Sequence, residues 1–364
     1  MKTIQLKLRF NAYPIMVGSR LLEKVMTWCP PLARGRRVVV VTHPELQSLS
    51  QPFDQLKADG YEVTRVVIPS GETSKSWEMV SHLVNEWMGC GLDRQDTVVA
   101  FGGGVIGDIT GFTASIYMRG IRCIQVPTTL LAQVDSAIGG KTGVNHPLSK
   151  NAVGTFYQPD LIVADQDMLA SLPRRELQSG MAEVVKYGMI GNAGLFKYIE
   201  THADRIAQYT PDQHPELWHH LITRSIADKV KVVSQDERES GLRANLNFGH
   251  TLGHALESLS QYQVYTHGEA VAIGMVAMAD LAHHLGLLDQ KSWIRLITLL
   301  QRLGFDTHLS PQWGVDGLLQ GMRRDKKHHG DVYRLVVPRS VGSVDIMTGI
   351  PESDIRATLL RMVA

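Results

Sequence analysis

The sequence predicts an α/β fold in which an N-terminal, mainly parallel sheet is followed by a mostly α-helical half. Three observations predict it. Four short β-rich runs, 37–42, 62–68, 97–101 and 123–126, are separated in part by stretches of helical periodicity such as 76–88, the pattern of a parallel sheet with covering helices. One run opens directly into a glycine-rich string, Gly102-Gly103-Gly104-Val105-Ile106-Gly107. From about residue 172 apolar residues recur at helical spacing instead, over 173–188, 216–237, 249–259, 268–285 and 291–303. The expected division falls at 165/166, giving domains 1–165 and 166–364.

Taken in order, the N-terminal MKTIQLKLRF alternates apolar and polar residues like a strand and lacks the apolar core of a signal peptide. The segment 271–288 is the most apolar long stretch, but Asp280, His283 and His284 interrupt it, which predicts a buried helix and not a membrane span. A hairpin-like pair, 333–337 and 343–347, closes the pattern with Ser340 and Gly342 between. The 37 Lys and Arg residues against 36 Asp and Glu leave a net charge of +1, so no bulk field attracts nucleic acid or an anionic membrane. Cys29, Cys90 and Cys123 form no CxxC pair and no even framework, which fits a reducing, cytoplasmic setting.

The glycine string formally satisfies GxGxxG at Gly102, Gly104 and Gly107. It follows the third βα unit, however, and no acidic residue stands about 20 positions later, so a standard dehydrogenase module is not expected. A tight strand-to-helix turn would explain the string equally well if it stood alone. Two further loops shift the balance: Ser70-Gly71-Glu72-Thr73-Ser74-Lys75 after the second run and Pro127-Thr128-Thr129 after the fourth. Each lies at the carboxyl end of a strand, where open α/β sheets bind nucleotides. Glu72 suits ribose hydroxyls, while Lys75 and the threonines suit phosphate or hydroxyl oxygens.

In the helical half, His250 and His254 stand i, i+4 in NFGHTLGHA, a spacing that suits a shared metal ion. Glu183 in SGMAEVVKYG and His267 at the head of HGEAVAIGM complete a set of one carboxylate and two or three imidazoles. His219, His220, His283, His284, His328 and His329 are expected to be surface or core residues. Lys141, Lys150, Lys186, Lys229, Arg243 and Lys326, grouped with Asn151 and Asn247, suit a doubly charged substrate, with phosphate at one end and carboxylate at the other.

The strings GETSK, GGGVIGDITGF, MRG, QVPTTLLAQVDSAIGGKTGVNHPLSKNAVGTFYQP, LPRRELQSGMAEVVKYG, DERESGLRANLNFGHTLGHALE, HGEAVAIGM and RRDKK, in order along the chain, closely resemble the 3-dehydroquinate synthase family of sugar-phosphate cyclases. The resemblance implies a nucleotide-binding first domain and a metal- and substrate-binding second domain. It implies conversion of 3-deoxy-D-arabino-heptulosonate 7-phosphate to 3-dehydroquinate and phosphate, in the shikimate pathway to aromatic amino acids. The route would be transient oxidation, phosphate elimination, re-reduction, ring opening and an intramolecular aldol. NAD, a divalent Zn or Co ion and a homodimer are implied with it.

Carried over position by position, Glu183, His250 and His267 become the metal ligands, and His254 moves from ligand to a residue that handles the substrate phosphate and its proton. Lys141, Asn151, Asn247 and Lys326 would join it around the phosphate, with Arg119 reaching across the dimer. Lys229 and Arg243 would hold the substrate carboxylate. Asp135 and Lys186 would contact the reacting hydroxyls, and Glu239 would orient the polar network. Ser70, Gly71, Glu72, Lys75, Gly104, Val105, Gly107, Asp108, Thr128, Thr129, Lys141, Lys150 and Ser171 would form the NAD site. One position departs from the family pattern: Thr42 is followed by His43-Pro44, where Asp or Asn is usual. The rival readings are a metal-dependent NAD polyol dehydrogenase, which would accumulate NADH, and a non-catalytic NAD-binding protein.

Overall fold

The computed structural model describes residues 1–28, 35–146, 149–324 and 333–363. Cys29, Lys326, His328 and His329 lie outside the described residues. In chain order the elements begin with β1 (Lys2–Lys7), β2 (Ala12–Gly18), α1 (Val25–Trp28), β3 (Arg37–Thr42), β4 (Glu62–Val67), α2 (Trp77–Gly89), β5 (Thr97–Gly102) and α3 (Gly104–Ile116). There follow β6 (Arg122–Pro127), β7 (Lys141–His146), β8 (Ser149–Phe156) and β9 (Leu161–Asp165). The rest is α4 (Arg174–Ile190), α5 (Ala193–Ile206), α6 (Pro215–Gln235), α7 (His250–Leu259), α8 (His267–His284), α9 (Gln290–Arg302), α10 (Val315–Arg324), β10 (Arg334–Ser340), β11 (Ser343–Thr348) and α11 (Glu352–Met362).

Two compact units result, 1–172 with 211–238, and 173–210 with 239–364. The segment 211–238 does not follow the expectation, because it belongs to the first unit and not to the helical half. The reason is packing: α6 buries Trp218, Leu221 and Ile222 and lies against β1 and β2.

The first unit is built on a seven-stranded sheet of order β1-β2-β9-β6-β5-β3-β4. Only β1 pairs antiparallel; the other neighbours run parallel. Both faces are covered, which is why β3 reads as an unbroken run of valines rather than an alternating one. Val39 and Val41 pack on one face with Val98, Ala100 and residues of α2 and α3, whereas Val38 and Val40 pack on the other with Val99, Phe101 and Phe53. The strand order reverses between β3 and β5, so the carboxyl end of β5, where the glycine string begins, is a topological switch point. The strand β9 and the hairpin β7–β8 are additions to the four runs seen in the sequence.

The second unit is helical around α8, whose residues Ala270–Ala282 are all buried. A helix that is apolar all round belongs in a core, and the expected buried helix over 271–288 is found, ending at His284. The C-terminal hairpin forms as expected, as the antiparallel pair β10–β11. Among the described residues no helix is long and apolar enough to cross a membrane.

Candidate active site: a glycine-edged rim and a buried carboxylate–imidazole cluster

On the first unit, the loops that follow β4, β5 and β6 carry the expected cofactor residues. Gly102, Gly103 and Gly104 bring β5 into α3, whose first turn has no side-chain cap, leaving N–H groups of the kind that face phosphates. These glycines are also required sterically. A Cβ on Gly102 would lie 2.6 Å from Ile106, and one on Gly103 would lie 3.0 Å from Thr129. Gly107 sits inside α3, where a Cβ would stand 2.8 Å from Gln125 Oε1, so packing alone accounts for it. The Thr128 N–H donates to the Gly102 carbonyl at 3.0 Å, tying the loops after β5 and β6 together. The Thr129 hydroxyl accepts from the Ala132 N–H at 3.1 Å and starts the wide turn 132–136 that carries Asp135.

Gly71 adopts φ 98°, ψ 167°, open to glycine almost alone. It turns the chain into Glu72, whose Oε1 accepts from Asn145 Nδ2 at 2.9 Å and lies 3.7 Å from Lys150 Nζ. The Lys75 ammonium is buried and contacts both the Asp108 carboxylate and the Asn151 amide oxygen. Burial pushes the Asp108 carboxyl above its ordinary pKa, and the Lys75 charge beside it works the other way. Asn151 is held at φ 54° and donates its N–H to Asn145 Oδ1 at 3.0 Å. Asn145 therefore links the Glu72 loop to the hairpin, a role the sequence reading missed. Lys141 opens β7 and lines a small hollow with Asp108 and Ser136. On α6, Lys229 is buried and donates to Asp135 Oδ1 at 2.8 Å.

Two expected residues stand apart from this network. Ser171 closes the turn after β9, its hydroxyl bonding back to the Met168 carbonyl at 3.0 Å. Arg119 lies past the far end of α3, about 20 Å along the helix from the glycine string at 1.5 Å per residue. Arg119 and Met118 both take positive φ, 61° and 50°, in the exposed turn that leads back into β6.

On the second unit, three helices converge. Glu183 on α4 is fully buried; His250 opens α7 and His267 opens α8. Nε2 of His250 lies 3.6 Å and Nε2 of His267 3.5 Å from the same oxygen, Glu183 Oε1. Ligand atoms of all three residues fall within 4.8 Å of one another. Two imidazole nitrogens and one carboxylate are the donor set of an open divalent site of the Zn or Co type, so the residues fit such an ion. His254 projects from the next turn of α7 with its ring centroid 5.5 Å from that of His250 and 6.3 Å from that of His267. It borders the cluster without joining the triad, so the converging donors pair His250 with His267 across two helices instead of with its i+4 neighbour. Spacing along one helix had carried no information about α8.

Backbone contacts without side chains between them produce this convergence. Gly268 follows His267, and a Cβ there would lie 2.0 Å from the Ser179 carbonyl oxygen. Its N–H donates to Ser179 Oγ at 2.9 Å, one helical turn before Glu183. Gly274 touches Gly249, with 1.9 Å left for a Cβ to the Gly249 oxygen, and Gly249 at φ 81° launches α7 at His250. Thr266 and Glu269 form a capping box at the head of α8. Arg175 of α4 then grips Glu269 at 2.8 and 2.7 Å.

The electrostatics follow from burial. Lys186, one turn after Glu183 and equally buried, contacts its carboxylate. Burial together with the Lys186 charge pushes His250 down to about 3. Burial also opposes protonation of His267, but hydrogen bonds to the Glu183 and Glu257 carboxylates outweigh it and raise that imidazole to about 9. In the turn before α7, Arg243 is buried, and Asn247 Nδ2 donates to Glu239 Oε1 at 2.8 Å, with Glu239 at φ 59°. Of the histidines read as structural, His219 bonds Gln166 at 2.9 Å and His283 stacks on Trp293 at 4.6 Å.

Comparison with known proteins adds the family. A parallel-sheet α/β unit followed by a helical unit is a plan shared at lower similarity with alcohol and glycerol dehydrogenases, at TM-scores of 0.63 to 0.69, and at higher similarity with sugar-phosphate cyclases. One is a 2-epi-5-epi-valiolone synthase from Streptomyces hygroscopicus subsp. jinggangensis with NAD+ and Zn2+ bound, at TM-score 0.89, 30% identity and 98% coverage of each chain. Another is a 2-deoxy-scyllo-inosose synthase complexed with carbaglucose-6-phosphate, NAD+ and Co2+, at TM-score 0.90, 26% identity and full coverage of both chains. The models of the 3-dehydroquinate synthase N-terminal and C-terminal regions match residues 65–179 and 180–328. The curated 3-dehydroquinate synthase of Desulforamulus reducens is 43% identical over 361 residues, 99% of each chain. The chain belongs to the 3-dehydroquinate synthase family.

Proposed function

We propose that this protein is a 3-dehydroquinate synthase, a phosphate-eliminating lyase of the shikimate pathway that converts 3-deoxy-D-arabino-heptulosonate 7-phosphate to 3-dehydroquinate and phosphate with NAD and a Zn or Co ion. The observation that carries the reading is the convergence of Glu183, His250 and His267, built around a fully buried carboxylate, in a chain that matches this family over both halves. When bound, the divalent ion supplies Lewis acidity toward a substrate hydroxyl and NAD supplies a hydride acceptor that returns what it takes.

The chain's own residues do the rest by binding and orientation. Glu183, His250 and His267 hold the ion. Glu72, Lys75, Asp108, Lys150, Thr128, Thr129 and the backbone of 104–105 hold NAD, with the uncapped first turn of α3 facing its phosphates. Lys141, Asn151, Asn247, His254 and Lys326 would bind the substrate phosphate, and the positive charge of the lysines would oppose the build-up of negative charge as phosphate departs. The phosphate is itself placed to take the neighbouring C–H proton, so the protein's contribution to that step is alignment. Lys229 and Arg243 bind the carboxylate, Asp135 and Lys186 contact the reacting hydroxyls, and Glu239 fixes the Asn247 amide through its 2.8 Å hydrogen bond. Arg119, set far from the glycine string on its own chain, acts at the phosphate of the second protomer of a homodimer. The protein works in the cytoplasm.

The test is phosphate release from 3-deoxy-D-arabino-heptulosonate 7-phosphate with NAD+ well below substrate, with and without a chelator. Many phosphates per NAD+, no net NADH and loss of turnover with chelator are expected. NADH accumulating without phosphate would replace this reading with a polyol dehydrogenase.

A further inference from the structure

The two imidazoles of the triad are each held at their second nitrogen, and by different groups. His250 Nδ1 lies 3.1 Å from the Phe248 carbonyl oxygen, a neutral backbone acceptor two residues away. His267 Nδ1 lies 3.3 Å from Glu257 Oε2, a side chain on a different helix. In both rings Nε2 is the nitrogen turned toward Glu183 Oε1. Glu257 stands seven residues after His250 on α7, two helical turns along the same face, so His250 and Glu257 approach the head of α8 from one surface. Its side chain is only 4% exposed. Burying a carboxylate is costly unless it accepts hydrogen bonds, and the imidazole N–H of His267 is such a donor. Glu257 is not among the three residues whose donor atoms converge.

We infer that Glu257 is a positioning residue for the metal centre: it accepts the Nδ1–H of His267, fixes that ring's tautomer and rotation, and so presents a bare Nε2 to the ion. The inference rests on the reading of Glu183, His250 and His267 as ligands. A metal-bound imidazole needs its lone pair on the ligating nitrogen and its proton on the other, and a carboxylate behind the ring enforces both. His267 needs this more than His250. The His250 ring is anchored by its own backbone two residues away, whereas His267 is the first residue of α8 and its ring is 24% exposed. Without Glu257 the ring is free to turn toward solvent or carry its proton on the wrong nitrogen.

Two measurements test it. The first uses the wild-type zinc protein labelled with 15N-histidine and reads long-range 1H–15N correlations. His267 should carry its proton on Nδ1 and bind through Nε2; the opposite pattern overturns the inference without any variant. The second is zinc affinity, measured by competition with a chromophoric chelator, in two variants. Glu257→Gln keeps an acceptor oxygen in place, and Glu257→Met fills the space without one. The methionine variant should bind zinc roughly 10- to 100-fold more weakly, the range for lost outer partners of metal-bound histidines, while the glutamine variant stays close to wild type. Equal affinity in wild type and Glu257→Met overturns the inference. Wild type and His250→Ala are measured alongside: one equivalent of zinc in the first and none in the second is expected, and failure there would sink the ligand assignment itself, separately from Glu257.

Discussion

The rim of the first unit and the cluster of the second are built by opposite means. On the rim, loops bring backbone N–H groups and charged tips to the carboxyl ends of strands, and much of the network stays within reach of solvent. In the cluster, three helices deliver side chains into a buried volume, and their spacing is set by backbone-to-backbone contact at Gly268 and Gly274. Glycine serves both, for different physical reasons. Gly71 is required by its torsion angles and has nothing within 4 Å of where a Cβ would be, whereas Gly268 is required by the Ser179 oxygen 2.0 Å away. A loop site can adjust to a ligand; a helix-borne site must be assembled to within a fraction of an ångström before the ligand arrives.

The largest break in this comparison is expected from His250→Ala. It removes one of three converging donors and should leave the protein without stoichiometric metal, with turnover down by about a thousandfold, or about 4 kcal/mol of transition-state stabilisation. Metal content and phosphate release check it, and full occupancy in the variant would contradict the assignment. Next is Gly268→Ala, which drives a methyl into backbone and should cost about 3 kcal/mol by urea unfolding. Its rim counterpart, Gly71→Ala, meets no atom and should cost only about 1–2 kcal/mol from torsional strain. If the two glycine variants lose equal stability, the distinction between a torsional and a steric requirement fails.

The smallest effect lies away from both sites. Hydrogen bonds from Arg65 and Lys57 hold the Asp54 carboxyl down at about 2. Because the folded-state value lies below the unfolded one, the stabilisation is present above pH of about 4 and is lost as pH falls toward the folded value. Asp54 is partly exposed, so about 0.5 kcal/mol is expected. The stability gap between wild type and Asp54→Asn should therefore be seen at neutral pH and narrow on acidification; a gap independent of pH would show that the pair does not contribute through charge.

The same contrast explains how much could be read from the sequence. Elements with a local signature were legible: the valine run of β3, the glycine turn after β5, the apolar length of α8, and the C-terminal hairpin. The strand β9 was not, because LIVAD is four apolar residues without alternation followed by Asp165, and it gains its identity from pairing with β2 and β6. The hairpin β7–β8 was hidden by polar, glycine-bearing strands such as KTGVNH. At the cluster, spacing made the residue types legible, while the partnership of Glu183, His250 and His267 came only through the family resemblance. The i, i+4 pair His250 and His254 is a strong signal within α7, yet the structure sets His250 against a residue on the next helix. Glu257 offered a signal of the same kind, at i+7 on that face, which the sequence reading passed over. The spacing roles of Gly268 and Gly274 depend on which helices touch, and no local pattern contains that.

The path of the backbone has one more consequence. The chain enters the second unit at 172/173, returns to the first at 210/211 and departs again at 238/239. During synthesis, 173–210 therefore leave the ribosome before the helix that covers β1 and β2 exists, so the sheet cannot finish folding first as an N-terminal module ordinarily would. The same threading bears on inheritance. A single genetic crossover anywhere in this chain divides one unit or the other, and grafting a foreign metal-binding half onto this sheet would require three matched junctions at once. Proteins of this plan are expected to diverge by substitution within an intact pair of units more readily than by shuffling their halves.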